Sequence, residues 1–62
     1  MIYQLISPPD ELIDKLEARD YYCTKLDLNT WKVEVPEEYS DVIEDLMDVY
    51  RNINKKFSYS RI

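Results

Sequence analysis

The stretch EEYSDVIEDLMDVYRNINKKF, residues 37–57, decides the fold. Its apolar side chains recur with a 4-3-4-3-4 spacing, the heptad rhythm of helices that pack side by side. We call these residues the apolar seam: Tyr39, Ile43, Leu46, Tyr50, Ile53 and Phe57. Pro36 precedes the stretch and suits the start of a helix. The pattern therefore predicts one long helix over residues 37–57 with a continuous apolar face.

The charges on this helix change sign from one end to the other. Four carboxylates share one helix face and form the acidic stripe: Asp41, Glu44, Asp45 and Asp48. Three bases follow them and form the basic end: Arg51, Lys55 and Lys56. An antiparallel second copy would bring each acidic stripe near the other basic end, so we expect the seam to be a homodimer or partner interface. Alternatively, the rest of the chain covers the seam, and the charge gradient only complements the helix macrodipole.

The remaining residues predict a single α+β domain with the element order β-α-β-β-α. A three-stranded antiparallel sheet packed by two helices is the expected architecture. The predicted elements are a strand over 1–6, a helix over 8–20, a hairpin over 22–28 and 31–35, the helix over 37–57 and a flexible tail over 58–62. Ser7 is the expected N-cap of the first helix, with Pro8 at its first helical position.

The hairpin sequence favours one register. If Asn29 and Thr30 form a two-residue turn, the apolar pairs fall on one face and pairs of opposite charge on the other. The predicted inner pairs are Leu28 with Trp31, Leu26 with Val33 and Thr24 with Val35; the outer pairs are Asp27 with Lys32 and Lys25 with Glu34. Thr30 fits such a turn poorly, because a type I′ turn requires a positive φ there.

The composition argues against catalysis and against cofactors. The chain has no histidine and no glycine, which removes the usual zinc ligand sets, the phosphate-binding loops and the common acid–base residue. Cys23 is the only cysteine, so it has no disulfide partner within the chain. The chain also has no histidine that could activate the Cys23 thiol. We expect no enzyme activity, no cofactor and no metal.

The charge balance and the tyrosines point to a protein partner. The formal net charge of −5 repels nucleic acid and anionic membranes and favours a basic protein surface. Direct nucleic-acid binding is therefore not expected, and residues 1–6 are too short to span a membrane. Tyrosine is enriched at interfaces, and the tyrosines expected to contact a partner are Tyr21, Tyr22 and Tyr59.

These observations predict a small, acidic, non-catalytic protein-binding module that inhibits or regulates a larger protein. One alternative is a nucleic-acid mimic whose acidic stripe occupies a basic cleft, and another is a structural homodimer subunit of a larger assembly. In size and composition the chain resembles the accessory proteins of phages and mobile elements. A lone thiol fits a reducing compartment, and the expected location is the cytoplasm.

Overall fold

Two helices cover one side of a four-stranded antiparallel sheet in the computed structural model, which describes residues 1–62. The strands are β1 (Ile2–Ile6), β2 (Tyr22–Lys25), β3 (Thr30–Glu34) and β4 (Ser58–Arg61), and the helices are α1 (Asp10–Ala18) and α2 (Ser40–Ile53). The strand order β2-β3-β1-β4 interleaves two split β-α-β units, which is the ferredoxin-like arrangement. The predicted α+β class is confirmed, whereas the predicted three strands are corrected to four.

The side chains of β1 divide the sheet into an inner and an outer face. Tyr3 and Leu5 are fully buried, and Ile2 and Ile6 on the opposite face are exposed. Strands alternate their side chains in this way, so the helices cover only the inner face. The chain itself therefore leaves Ile2 and Ile6 on the outer face of β1 without cover.

Residues 58–61 form β4, where the sequence predicted a flexible tail. The strand pairs with β1 in antiparallel register, with Leu5 opposite Tyr59 and Gln4 opposite Ser60. Phe57, immediately before it, is almost completely buried in the core. Burying a large aromatic side chain stabilises the fold by roughly 1.5–3 kcal/mol, which favours the turn that brings β4 back to the sheet.

Helix α2 is shorter than the predicted helix over 37–57. A single 3-10 turn (Glu37–Tyr39) leads into it, and Asn54 leaves it in an extended conformation. The Asn54 side-chain oxygen accepts the Lys56 N–H at 3.1 Å, a local bond that competes with continued helix. Phe57 therefore belongs to the turn before β4.

The hairpin register differs by three residues from the prediction. Cys23 lies opposite Val33, and Lys25 lies opposite Trp31, because the loop spans residues 26–29. Asp27 stabilises this longer loop by accepting the Asn29 N–H through its carboxylate at 2.9 Å. Because the shift is an odd number, β2 turns its other face to the core, whereas Val33 and Val35 keep the predicted inward side, and none of the predicted pairs forms. Leu26 and Leu28 lie exposed in the loop.

Helix α1 begins two residues later than predicted and ends at a left-handed residue. Ser7 has φ 53° and does not cap the helix, since Pro9 occupies that position without a side-chain bond. At the other end Asp20 has φ 62°, while Tyr21 N–H donates to the Leu16 carbonyl. This is a Schellman motif, which glycine usually completes.

The core lies between the inner sheet face and the two helices. It contains eleven buried apolar residues: Tyr3, Leu5, Leu12, Ile13, Leu16, Val33, Val35, Ile43, Met47, Tyr50 and Phe57. Met47 is fully buried, although it lies outside the predicted seam. The inward face of α2 is thus centred on Ile43, Met47 and Tyr50.

Candidate protein-binding surface

The structure divides the predicted apolar seam between the core and the surface. Ile43, Tyr50 and Phe57 are buried within the single chain and so cannot be contacted from outside. Tyr39 and Ile53 remain exposed, and Leu46 is partly buried beside the core. Only these last three seam residues can still contribute to the interface predicted from the sequence.

The exposed seam residues belong to a second apolar row, which runs along α2 and the 3-10 turn before it. Val42 and Val49 lie between them, so the row has a 3-4-3-4 spacing, which is again a heptad rhythm. We call it the outer stripe: Tyr39 (50% exposed), Val42 (62%), Leu46, Val49 (55%) and Ile53 (76%). Val42 and Val49 were not predicted as interface residues, because they fall outside the spacing of the seam. The signal that could have identified them is that they are apolar residues of the same helix.

An acidic residue immediately precedes four of the five outer-stripe residues. These residues are Glu38, Asp41, Asp45 and Asp48, and Asn52 precedes the fifth. Consecutive helical residues differ by about 100° in direction, so the acidic residues form a row along one border of the stripe. Glu38, Asp41 and Asp45 are exposed and make no salt bridge within the chain.

The predicted acidic stripe is divided by contacts with the sheet. The Glu44 carboxylate accepts a hydrogen bond from the Tyr3 hydroxyl at 2.5 Å and forms a salt bridge with Arg61 at 2.7 Å. The hydrogen bond from Tyr3, together with Arg61, lowers the pKa of the Glu44 carboxyl. The Asp48 carboxylate accepts a hydrogen bond from the Tyr59 hydroxyl at 2.6 Å and forms a salt bridge with Arg51 at 3.0 Å. These two carboxylates attach β1 and β4 to α2, which leaves Asp41 and Asp45 free.

Tyr59 is held inside this contact between β4 and α2. Its ring packs edge-on against Tyr3 at 6.2 Å, and the Arg51 guanidinium lies 5.4 Å from the ring centre. Burial and the bond to Asp48 raise the pKa of Tyr59 to about 12. The contacts give Tyr59 a role within the chain, and its predicted contact with a partner stays a prediction.

The predicted basic end is not a continuous surface of the helix. Arg51 is bound to Asp48, and Lys55 and Lys56 lie in the turn beyond the last residue of α2. An antiparallel second copy would therefore not find three free bases along the helix opposite its acidic stripe.

Charge is separated between the helical layer and the rest of the chain. Residues 10–20 and 37–53 contain eleven acids and three bases, a net charge of −8. The remaining residues contain two acids and five bases, a net charge of +3, and the two values add to the formal −5. The helical side of the molecule is strongly negative, which favours a positively charged partner there.

Tyr21 and Tyr22 line the one open cavity of the molecule. It has a volume of about 330 Å³ and lies where β2 begins and β3 ends. Its lining consists of Asp20, Tyr21, Tyr22, Glu34, Val35 and Pro36. Tyr22 is exposed, whereas Tyr21 packs partly against the core. Both tyrosines remain candidates for partner contact at a site separate from the outer stripe.

The outer face of the sheet lacks an aromatic platform on its central strands. Ile2, Gln4 and Ile6 of β1 lie opposite Glu34, Lys32 and Thr30 of β3. Four-stranded sheets that bind RNA stack bases on aromatic side chains at such positions. This face therefore offers no stacking surface at its centre.

Cys23 is half-buried on the inner face of β2. Burial, with a smaller contribution from the nearby Glu17 carboxylate, raises the pKa of its thiol to about 11. The thiol is therefore almost entirely protonated at neutral pH, and the protonated form is a poor nucleophile. No group of three or more His, Cys, Asp and Glu side chains is arranged to hold a metal ion.

Comparisons with known proteins returned nothing similar: no family model, curated protein or solved structure matches the chain. Neither helix combines the length and the apolar composition needed to cross a membrane. Any statement about function therefore rests on the surface of the molecule itself.

Proposed function

We propose that the chain is a small, non-catalytic protein-binding module that inhibits or regulates a larger protein by covering part of its surface. The observation that carries the proposal is the outer stripe, an exposed apolar row on a helix whose layer has a net charge of −8. Contiguous exposed apolar residues with a polar border are typical of protein interaction sites.

The energetics of the stripe support a binding role. Fully burying a valine, leucine or isoleucine side chain is worth roughly 1.5–3 kcal/mol. The stripe leaves Val42, Val49 and Ile53 more than half exposed, so a partner that covers them gains apolar contacts that folding leaves unused. The acidic border adds orientation and a faster encounter with a basic partner.

Affinity capture with matched variants tests the proposal. The tagged wild-type chain is used to capture proteins from a lysate of the source cells, in parallel with V42Q/V49Q and L26Q/L28Q. Leu26 and Leu28 are exposed in the hairpin loop, so the second variant matches the first in chemistry but leaves the stripe intact. We expect one or more proteins to bind the wild type and L26Q/L28Q and to be lost from V42Q/V49Q. Retention of every captured protein by V42Q/V49Q would contradict the proposal.

Nucleic-acid mimicry is a second candidate, favoured by the strong negative charge of the helical layer. Its weakness is that Glu44 and Asp48 are bound within the chain. A mimic should lose its partner when short duplex DNA or RNA is added and when Asp41 and Asp45 are changed to Lys. A partner that resists the added nucleic acid but is lost from V42Q/V49Q supports the protein-binding module instead.

A structural homodimer is the third candidate, and the outer stripe would then pack on a second copy. We also propose the cytoplasm as the place of action, because the lone thiol suits a reducing compartment. The small size and acidic composition support an accessory protein of a phage or mobile element as the class. Sedimentation of the purified chain with and without V42Q/V49Q separates the homodimer from the other candidates.

A further inference from the structure

We propose that the outer stripe binds a basic amphipathic helix of the partner protein. This inference rests on the proposed function, since it names the element of the partner that the binding surface recognises. It commits to a helix with an apolar face and with lysine or arginine beside that face.

The shape of the stripe favours a helix as the occupant. Residues 39–53 extend over about 21 Å at 1.5 Å per residue, and the apolar side chains follow the 3-4-3-4 spacing throughout. Another helix with apolar residues at heptad spacing can place its side chains between them. An extended peptide would need free backbone N–H and C=O groups to pair with, and the middle of a helix has none.

The charge beside the stripe favours a basic occupant. Glu38, Asp41 and Asp45 border it, are exposed and have no ion-pair partner in the chain. Lysine or arginine residues on one flank of a docked helix would lie beside this row. A lipid surface is disfavoured for the same reason, because anionic headgroups repel acidic residues.

The same charges make a second copy the poorer occupant. Packing two outer stripes together would bring two helical layers of net charge −8 into contact. The bases that would offset this repulsion are bound to Asp48, in the case of Arg51, or lie beyond the helix, in the case of Lys55 and Lys56. Like charges across an interface suppress association.

Synthetic helical peptides provide the test. The probe is a labelled 18-residue peptide with leucine at the two apolar heptad positions and lysine at the flanking positions. Two comparison peptides have glutamate in place of lysine, or the same composition in scrambled order. Binding to the full chain is measured by fluorescence anisotropy in 0.15 M salt, and the contact surface is mapped by amide chemical shifts.

We expect the lysine peptide to bind the wild type and L26Q/L28Q, with shifts concentrated in residues 39–53. V42Q/V49Q should bind it about a hundredfold more weakly, about tenfold for each valine that no longer buries its side chain. D41N/D45N should weaken binding and reduce its dependence on salt, and the glutamate and scrambled peptides should bind at least tenfold more weakly than the lysine peptide. Thermal unfolding followed by circular dichroism should show that the three double variants remain folded, since all six substituted positions are exposed.

Three results would overturn the inference. One is equal binding of the lysine and glutamate peptides, and another is unchanged binding by folded V42Q/V49Q. The third is that the wild type forms a dimer in 0.15 M salt whereas V42Q/V49Q is a monomer, because the occupant of the stripe would then be a second copy. The proposed function has its own test: a partner captured by the wild type and lost from V42Q/V49Q supports it even if the peptide is not bound.

Discussion

Asp20 has a backbone conformation that a chain without glycine must assign to another residue. It follows α1 with φ 62°, and the bonds from Asp20 N–H to Glu17 and from Tyr21 N–H to Leu16 complete the Schellman motif. A left-handed conformation costs an ordinary L-residue roughly 1–2 kcal/mol, although aspartate tolerates it better than most. The helix end is therefore stable in spite of a local cost.

Replacing Asp20 with glycine should stabilise the protein. Glycine removes the left-handed cost but adds conformational entropy to the unfolded chain, so the expected net gain is about 0.5–1 kcal/mol. Urea unfolding followed by circular dichroism measures the change. D20A is the matched comparison, because alanine removes the carboxylate while keeping a Cβ at positive φ, and it should not stabilise the protein. A gain of equal size in D20A would attribute the effect to charge instead of conformation.

At the level of elements, β4 depends on carboxylates of α2. Glu44 receives hydrogen bonds from Tyr3 of β1 and from Arg61 of β4, and Asp48 receives one from Tyr59 of β4. One edge of β4 pairs with β1, and its other edge is free. An edge strand of four residues therefore relies on these side-chain contacts in addition to its backbone bonds.

Acidification should loosen β4. The pKa of Glu44 is lowered in the folded state, first by the Tyr3 hydroxyl and then by Arg61, from its ordinary value of 4.5. A lowered folded-state pKa means stability that is present above pH 4.5 and is lost as the pH falls through the lower folded value. We expect protection of the Ser58 and Ser60 amides from hydrogen exchange, corrected for the intrinsic rate, to decrease below pH 4.5.

Two variants identify the carboxylate responsible. E44Q should show reduced protection of β4 already at pH 7 and a weaker change on acidification. D45N removes the neighbouring carboxylate, which is exposed and makes no such bonds, and should leave β4 protection as in the wild type. Equal pH dependence in E44Q and the wild type would show that Glu44 does not hold the strand.

Local sequence patterns predicted the α+β class but not the distant contacts. Residue type and periodicity, which act locally, place β1 and β3 to within one residue and account for the apolar character of α2. The hairpin register and the end of α2 depend instead on the Asp27 loop and on the burial of Phe57, both of which require the folded chain. The spacing of apolar residues over 39–57 predicted a single seam, because it does not show which of them the sheet covers. In the folded chain these apolar residues are divided between a core face and the outer stripe.

For the whole molecule, separated charge and an exposed apolar stripe act against each other. The chain measures 27 × 23 × 22 Å and carries −8 in its helical layer, so two helical sides repel at long range. The Debye length is about 30 Å at 0.01 M salt, longer than the molecule, and about 3 Å at 1 M salt. Salt should therefore remove the repulsion while leaving the apolar attraction in place.

Self-association should consequently increase with salt and depend on the outer stripe. We expect sedimentation velocity at about 100 μM to give a monomer of 7.5 kDa in 0.01 M salt and a larger average mass in 1 M salt. V42Q/V49Q should remain monomeric in both, whereas L26Q/L28Q should follow the wild type, because its exposed leucines lie outside the helical layer. A salt-dependent increase in V42Q/V49Q equal to that of the wild type would place the associating surface elsewhere, and the open face of the sheet, with Ile2 and Ile6 exposed, would be the next surface to substitute.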